Sequence, residues 1–381
     1  MKALRETAGF SLYDLARRIH WSKAAVGHAE TGHRLPSREL ARVLDDALSA
    51  NGLLVALAAA ERDQGRNVSD MKRRSLLLAG IAAGTSFAAP KSQPTGRVNG
   101  SDVKRLLLRT AELRQLDDSL GGADTFALYA SEMDRTRDTL SRTSHNAATR
   151  KALHAVLAEQ AQLAGWAAFD AGWLERSISL YATSRTMAAE AGDPSLLANA
   201  FALEAYQHAF DGRPDVELAM ASCAAVTEQV PPRVRALIFD RAAFTYASAN
   251  LVRETEAALE EVAEALAGNE DDQSPDWAQW LDLQELDIMT GRCWSALRRP
   301  LRAVGPLERA LATFPDQYAR DKALYLLALG EAYAYGGELG LAASTIARAS
   351  SLTAGVASTR PAKRIRLTLA SISALKSARS G

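Results

Sequence analysis

The 381-residue chain contains only two cysteines, Cys223 and Cys293. That is too few for a disulfide framework or a thiolate-held metal, so a reducing compartment, the cytoplasm, is the expectation. Aromatic residues make up 6% and prolines number twelve, while alanine is the most abundant residue. Such a composition builds little strand and suits helices that pack closely. No apolar run approaches the ~20 residues needed to cross a bilayer, so no membrane span is expected. Charged residues at 24% with 48% hydrophobic residues exclude a disordered or fibrous chain.

Net charge is also lacking, but only in total, since 45 basic residues balance 45 acidic ones. Residues 1–42 carry eight bases against four acids, and residues 67–109 carry eight against two. Residues 359–381 add six bases and no acid, whereas residues 110–358 hold 21 bases and 35 acids, a balance of −14. A basic head on an acidic body suggests that the head alone meets a polyanion.

Punctuation by Gly, Pro and Asn divides the chain into three parts. Residues 1–62 read as five short helices: a stub ended by Gly9, a second opened by Ser11 with Asp14 three residues on, and a third following Trp21-Ser22. A fourth starts at Pro36-Ser37, and a fifth follows Asn51-Gly52. Residues 63–101 form a basic linker. Within it Lys72-Arg73-Arg74 precedes a short apolar run that imitates a twin-arginine export signal, but it follows a complete small domain. A short helix over residues 73–87, docked on the body, is the expectation there.

Residues 102–381 are helical throughout, with breaks at Gly172, Gly212, Asn250, Gly291 and Gly336 spaced 40, 38, 41 and 45 residues apart. This is the period of paired antiparallel helices, longer than the about 34 residues of the shortest such repeat. The fold class expected is therefore all-α: a five-helix helix-turn-helix domain followed by an α-solenoid. Aromatic residues recur on the first helices of the pairs. Trp166, Phe169, Tyr206, Tyr246, Trp277 and Trp280 are candidates for a concave groove taking a peptide or small-molecule signal.

The chemistry lies in residues 12–31. A helix-turn-helix needs a small residue where the helices cross, met by Ala16. Four residues later it needs one that tolerates left-handed backbone, and His20 stands there. Six further on it needs an apolar core residue, supplied by Val26. Leu12, Leu15, Ile19, Trp21 and Ala29 complete the apolar side. That packing sets the second helix at the angle for a major groove.

The stretch Leu4-Arg5-Glu6-Thr7-Ala8-Gly9-Phe10-Ser11, with Leu15-Ala16-Arg17-Arg18, resembles the start of a xenobiotic-response-element (Cro/repressor-type) regulator. So does Ser22 to Ser37 with its Glu30-x-Gly32-x-Arg34-x-Pro36 ending, and the body is similar to regulators of this group with a tetratricopeptide-like C-terminal half. The resemblance implies that Lys23, Ala24, Gly27 and His28 form the exposed face of a recognition helix capped by Ser22, with Arg34 and Arg38 placed for the DNA backbone. It also implies double-stranded operator DNA as partner and a homodimer. The chain departs from the family pattern at Leu12, where Gln is usual, and at Gly27, where Ser or Thr is common. Its first helix is also short.

Other chemistry is sparse. His20, His28 and His33 cluster without Cys or acid at metal-ligand spacing, and no nucleophile–base grouping or phosphate loop is visible. No metal, cofactor or enzymatic activity is expected. The alternative function is a protein-interaction scaffold with a vestigial head.

Overall fold

A computed structural model describes residues 8–31, 36–48, 96–115, 121–267, 274–353 and 358–380, with the single residues 1, 5, 50, 54, 55, 58 and 356. All regular structure among the described residues is helical, and a lone bridge between Arg97 and Ser144 is the nearest approach to a strand. No helix among them is long and apolar enough to cross a membrane. Contacts divide the chain into two compact units, Met1–Asp70 with Arg298–Gly381, and Met71–Leu297.

The head contributes α1 (Leu12–Arg18), α2 (Lys23–Thr31) and α3 (Arg38–Ala47). Ser37 caps α3 by accepting from the Leu40 amide at 3.0 Å. Buried Asp45 then accepts from the Leu54 amide at 2.7 Å, which fixes where the chain turns after α3. Most of the expected fifth helix and the stub before Gly9 lie outside the described residues, although Gly9 has the left-handed φ of 71° that ends a helix. The Lys72-Arg73-Arg74 segment and its expected docked helix also lie outside them.

The second unit begins in packed form at Val98, which joins Val103, Leu153 and Val156 in a small apolar cluster. Its helices are α4 (Gly100–Arg114), α5 (Gly122–Arg142), α6 (Ala147–Asp170), α7 (Leu174–Ala191), α8 (Pro194–Phe210), α9 (Val216–Ala224), α10 (Pro232–Ser248), α11 (Val252–Leu266) and α12 (Leu283–Ala296), with a 3₁₀ turn at Asp276–Ala278. Consecutive helices pair, and α6, α8, α10 and α12 also pack one on the next. Small residues make that possible. A Cβ on Gly165 of α6 would lie 2.6 Å from the Tyr181 ring of α7, so only glycine lets these two helices cross as they do.

The expected turns recur as left-handed residues: Gly172 at φ 85°, Gly212 at φ 74° and Asn250 at φ 61°. Gly192 ends α7, after which Asp193 caps α8 and Pro194 occupies its first turn. The expected turn at Gly291 is not there. Gly291 is buried inside α12, and the chain turns instead at Arg298, with φ 56°. One helical glycine costs only about 1 kcal/mol, less than what α12 gains by burying Ile288, Met289, Cys293 and Trp294.

The first unit closes with α13 (Pro300–Thr313), α14 (Ala319–Gly336), α15 (Leu339–Leu352) and α16 (Arg360–Ser380), among which α14 packs on the other three. Glu331 of α14 accepts from Arg364 at 2.6 Å and Thr368 at 2.5 Å, both on α16.

Candidate nucleic-acid interface

Two short helices set at a fixed angle make the site. Ser11 opens α1 with a full capping box, its hydroxyl accepting from the Asp14 amide while the Asp14 carboxyl accepts from the Ser11 amide. Those Ser11 hydrogen bonds hold the Asp14 carboxyl below its usual range. After Ile19 the chain reverses through His20, whose φ of 57° is the left-handed value the motif requires. The Trp21 amide then bonds back to the Ala16 carbonyl at 3.0 Å. Ser22 starts α2, its hydroxyl accepting from the Ala25 amide at 3.1 Å. Beneath the crossing, Leu15, Ala16, Ile19 and Val26 are all buried.

One buried ion pair locks this geometry. Arg5 donates to both carboxylate oxygens of Glu30, each at 2.9 Å, and its other terminal nitrogen donates to the Phe10 carbonyl at 2.8 Å. The two side chains are 10% and 7% exposed, so the pair ties α2 to the chain before α1 from inside the head.

The outward face of α2 presents Lys23, Ala24 and His28, all exposed, with Gly27 half-buried between them. Exposed Arg17 and Arg18 follow on α1, and exposed Arg38 and Arg42 on α3. The Arg18 guanidinium lies 5.2 Å from the centre of the Phe10 ring. A capped helix whose exposed face carries small residues between a lysine and a histidine can enter a groove closely, while the helix N-terminus and flanking arginines suit phosphates. Arg34 lies outside the described residues. Residues 1–58 match the family model of a helix-turn-helix domain. No curated protein matches the chain.

Within this helix-turn-helix head, the sequence pattern identified the crossing residues, the left-handed turn and the cap of α2. It did not identify the Arg5–Glu30 pair, because two charges 25 positions apart show no periodicity. No apolar surrounding marks them either, since Glu6 and Thr7 follow Arg5 and Thr31 follows Glu30.

The aromatic candidates of the body fall in three places. Trp166, Phe169 and Tyr206 share one cluster, with ring centres 5.5 Å apart for Trp166–Phe169 and 5.9 Å for Trp166–Tyr206, and Phe244 stacks 5.3 Å beyond Tyr206. Tyr246, two residues from Phe244 and so on another side of α10, is buried, and that burial together with the Cys223 thiol pushes its hydroxyl pKa up. Trp277 is packed with Val234 and Leu281, and Trp280 is 47% exposed with its ring nitrogen donating to the Trp277 carbonyl at 2.9 Å.

Gly27 offers a direct test of the recognition helix. A Cβ there would meet nothing within 4 Å. Gly27→Ala is expected to stabilise the head by about 0.5–1 kcal/mol, since alanine loses less backbone entropy in a helix. Urea unfolding measures this, and a destabilised variant would mean that α2 is packed on that side.

Proposed function

We propose that the chain is a sequence-specific DNA-binding transcriptional regulator that works as a cytoplasmic homodimer. In this reading its helix-turn-helix head reads operator DNA. The helical body, tetratricopeptide-like in its pairing, binds a peptide, small-molecule signal or protein partner and supplies the dimer contact. The observation that carries the reading is the outward face of α2: Ser22 caps it, and Lys23, Ala24 and His28 are exposed beside the flanking bases of α1 and α3. Lys23 and His28 donate to guanine edges, and Ala24 meets a thymine methyl. Arg38 and the free amides at the start of α2 hold phosphates. A signal that binds the body differently in two arrangements of the heads shifts operator affinity.

The test separates readout from attraction. Lys23→Ala with His28→Ala should lower preference for the operator over random DNA by about 1–3 kcal/mol per lost base contact. Arg38→Ala should weaken both alike and flatten the salt dependence by about one unit. Equal loss on every sequence in all variants would sink the assignment of α2 as the reading helix. Two half-sites about 10 base pairs, or a multiple, apart are expected in the operator. Sedimentation as a concentration-independent monomer would overturn the dimer.

A further inference from the structure

In the second unit, α8, α10 and α12 meet around a carboxyl group that the fold leaves without a bond. Asp240 on α10 has no exposed surface, and neither of its carboxyl oxygens has a hydrogen-bond partner. On α12, Glu285, Met289 and Arg292 are spaced so as to share one helix face, each less than a tenth exposed, and the Glu285 and Arg292 charges act on Asp240. Arg292 has its donors engaged elsewhere. One terminal nitrogen donates to the Tyr206 hydroxyl on α8 at 2.8 Å, the other lies 3.9 Å from the Met289 sulfur, and the guanidinium carbon stands 4.6 Å from the centre of the Phe244 ring.

A fully desolvated carboxylate without a partner is costly, and such a group keeps its proton instead. Burial is the main cause raising the Asp240 pKa well above the ordinary carboxyl range, helped by the Glu285 charge and opposed by Arg292 and Arg241. A neutral Asp240 leaves Arg292 to the phenol and the ring. An ionised one competes for it, because a guanidinium–carboxylate hydrogen bond is about twice as strong as one to a neutral acceptor.

We propose that Asp240 and Arg292 form a proton-controlled latch. With Asp240 protonated, Arg292 ties α12 to Tyr206 of α8 across the face of Phe244. When the carboxyl releases its proton to solvent, the guanidinium turns onto Asp240 and Tyr206 is freed. Among the described residues, the titratable or charged groups that act on Asp240 are Glu285, Arg292 and the Cys293 thiol from α12, and Arg241 from its own helix. The buried acid of α8, Glu204, is held by Arg185. The residues buried by α9 (Ala219, Ser222), by α11 (Thr255, Ala258, Val262) and by the 3₁₀ turn (Trp277, Ala278) carry no charge.

The sign of the pH effect follows from linkage. An acid whose pKa is raised by folding stabilises the fold fully below its unfolded pKa of about 3.9 and loses that contribution as pH climbs through the folded value. Across that window the folding equilibrium constant of the native chain should fall, relative to Asp240→Asn, by up to about tenfold per pH unit.

The experiment uses the full chain, with urea unfolding and near-ultraviolet circular dichroism from about pH 5 to about pH 9. The native protein should show that slope together with a tyrosine signal change of the same midpoint. Asp240→Asn should stay in the low-pH form, and Tyr206→Phe should lose the signal change but keep the slope. If Asp240→Asn does not fold, carbon-13 shifts of labelled aspartate carboxyls follow the titration in the native chain. Parallel pH profiles for native and Asp240→Asn chains overturn the latch. So does a carboxyl that titrates at the ordinary value, or a Tyr206 signal that stays still while Asp240 titrates.

Discussion

Arg5→Ala is expected to cost the helix-turn-helix head about 3–5 kcal/mol, because it takes the bidentate guanidinium from the buried Glu30 carboxylate. The pair is bidentate and nearly enclosed, so solvent does not take over when one side is removed. A small domain has about 5–15 kcal/mol in total, so the loss removes a large share of what holds the head folded. Amide exchange over residues 12–31 should accelerate by roughly two to four orders of magnitude, since each factor of ten corresponds to about 1.4 kcal/mol. Arg5→Met combined with Glu30→Leu should recover much of the loss, because an apolar pair of similar volume replaces a buried ion pair with little penalty. Exchange in Arg5→Ala within a few-fold of the native rate would show that the pair contributes nothing.

Gln162→Leu should destabilise the second unit by about 3 kcal/mol or more, from three buried groups losing a partner at about 1–3 kcal/mol each, less what relaxation returns. Gln162 on α6 is 5% exposed. Its amide nitrogen donates to the Ser184 hydroxyl of α7 at 3.0 Å and to the Leu196 carbonyl of α8 at 2.8 Å, while its oxygen accepts from Asn199 at 2.7 Å. Arg241 of α10 in turn donates to Asn199, so the chain of polar contacts runs through four helices. A leucine of similar size fills the space and isolates the polar loss from any cavity. The urea midpoint reports it, with Glu190→Ala at an exposed position as a control expected within about 0.5 kcal/mol. A midpoint equal to the control's would mean that water or Ser184 alone satisfies the orphaned groups.

These residues mark where the sequence could be read and where it could not. Ala16, His20, Ser22 and Val26 were legible because each is demanded by local geometry: a crossing, a left-handed turn, a cap and a core position. The helix pairs were legible from their glycine and asparagine turns, except where Gly291 stays helical and Arg298 adopts the left-handed turn. A breaker residue states a preference of about 1 kcal/mol, and the packing of α12 on α10 and α11 outweighs it. Gln162, Asn199, Asp240 and Arg292 were not legible, because a buried polar residue is defined by its neighbours in space. The scattering of the aromatic candidates has the same origin: recurrence along the chain does not say which side of α10 Tyr246 occupies, and Trp277 and Trp280, expected on the first helix of a pair, stand instead in and just after the 3₁₀ turn before α12.

Most contacts in the second unit join helices close in sequence, the condition for rapid folding and for fraying from either end. Arg114 is different. At the end of α4 it is bonded to Glu159 on α6 and also to Asp276 in the 3₁₀ turn, 162 residues away in sequence. An array of neighbours alone behaves as an open spring whose ends loosen independently. The Arg114 contacts join the start of the unit to its Asp276 turn, a partly exposed link worth at most about 1 kcal/mol, so loosening at one of the two is felt weakly at the other.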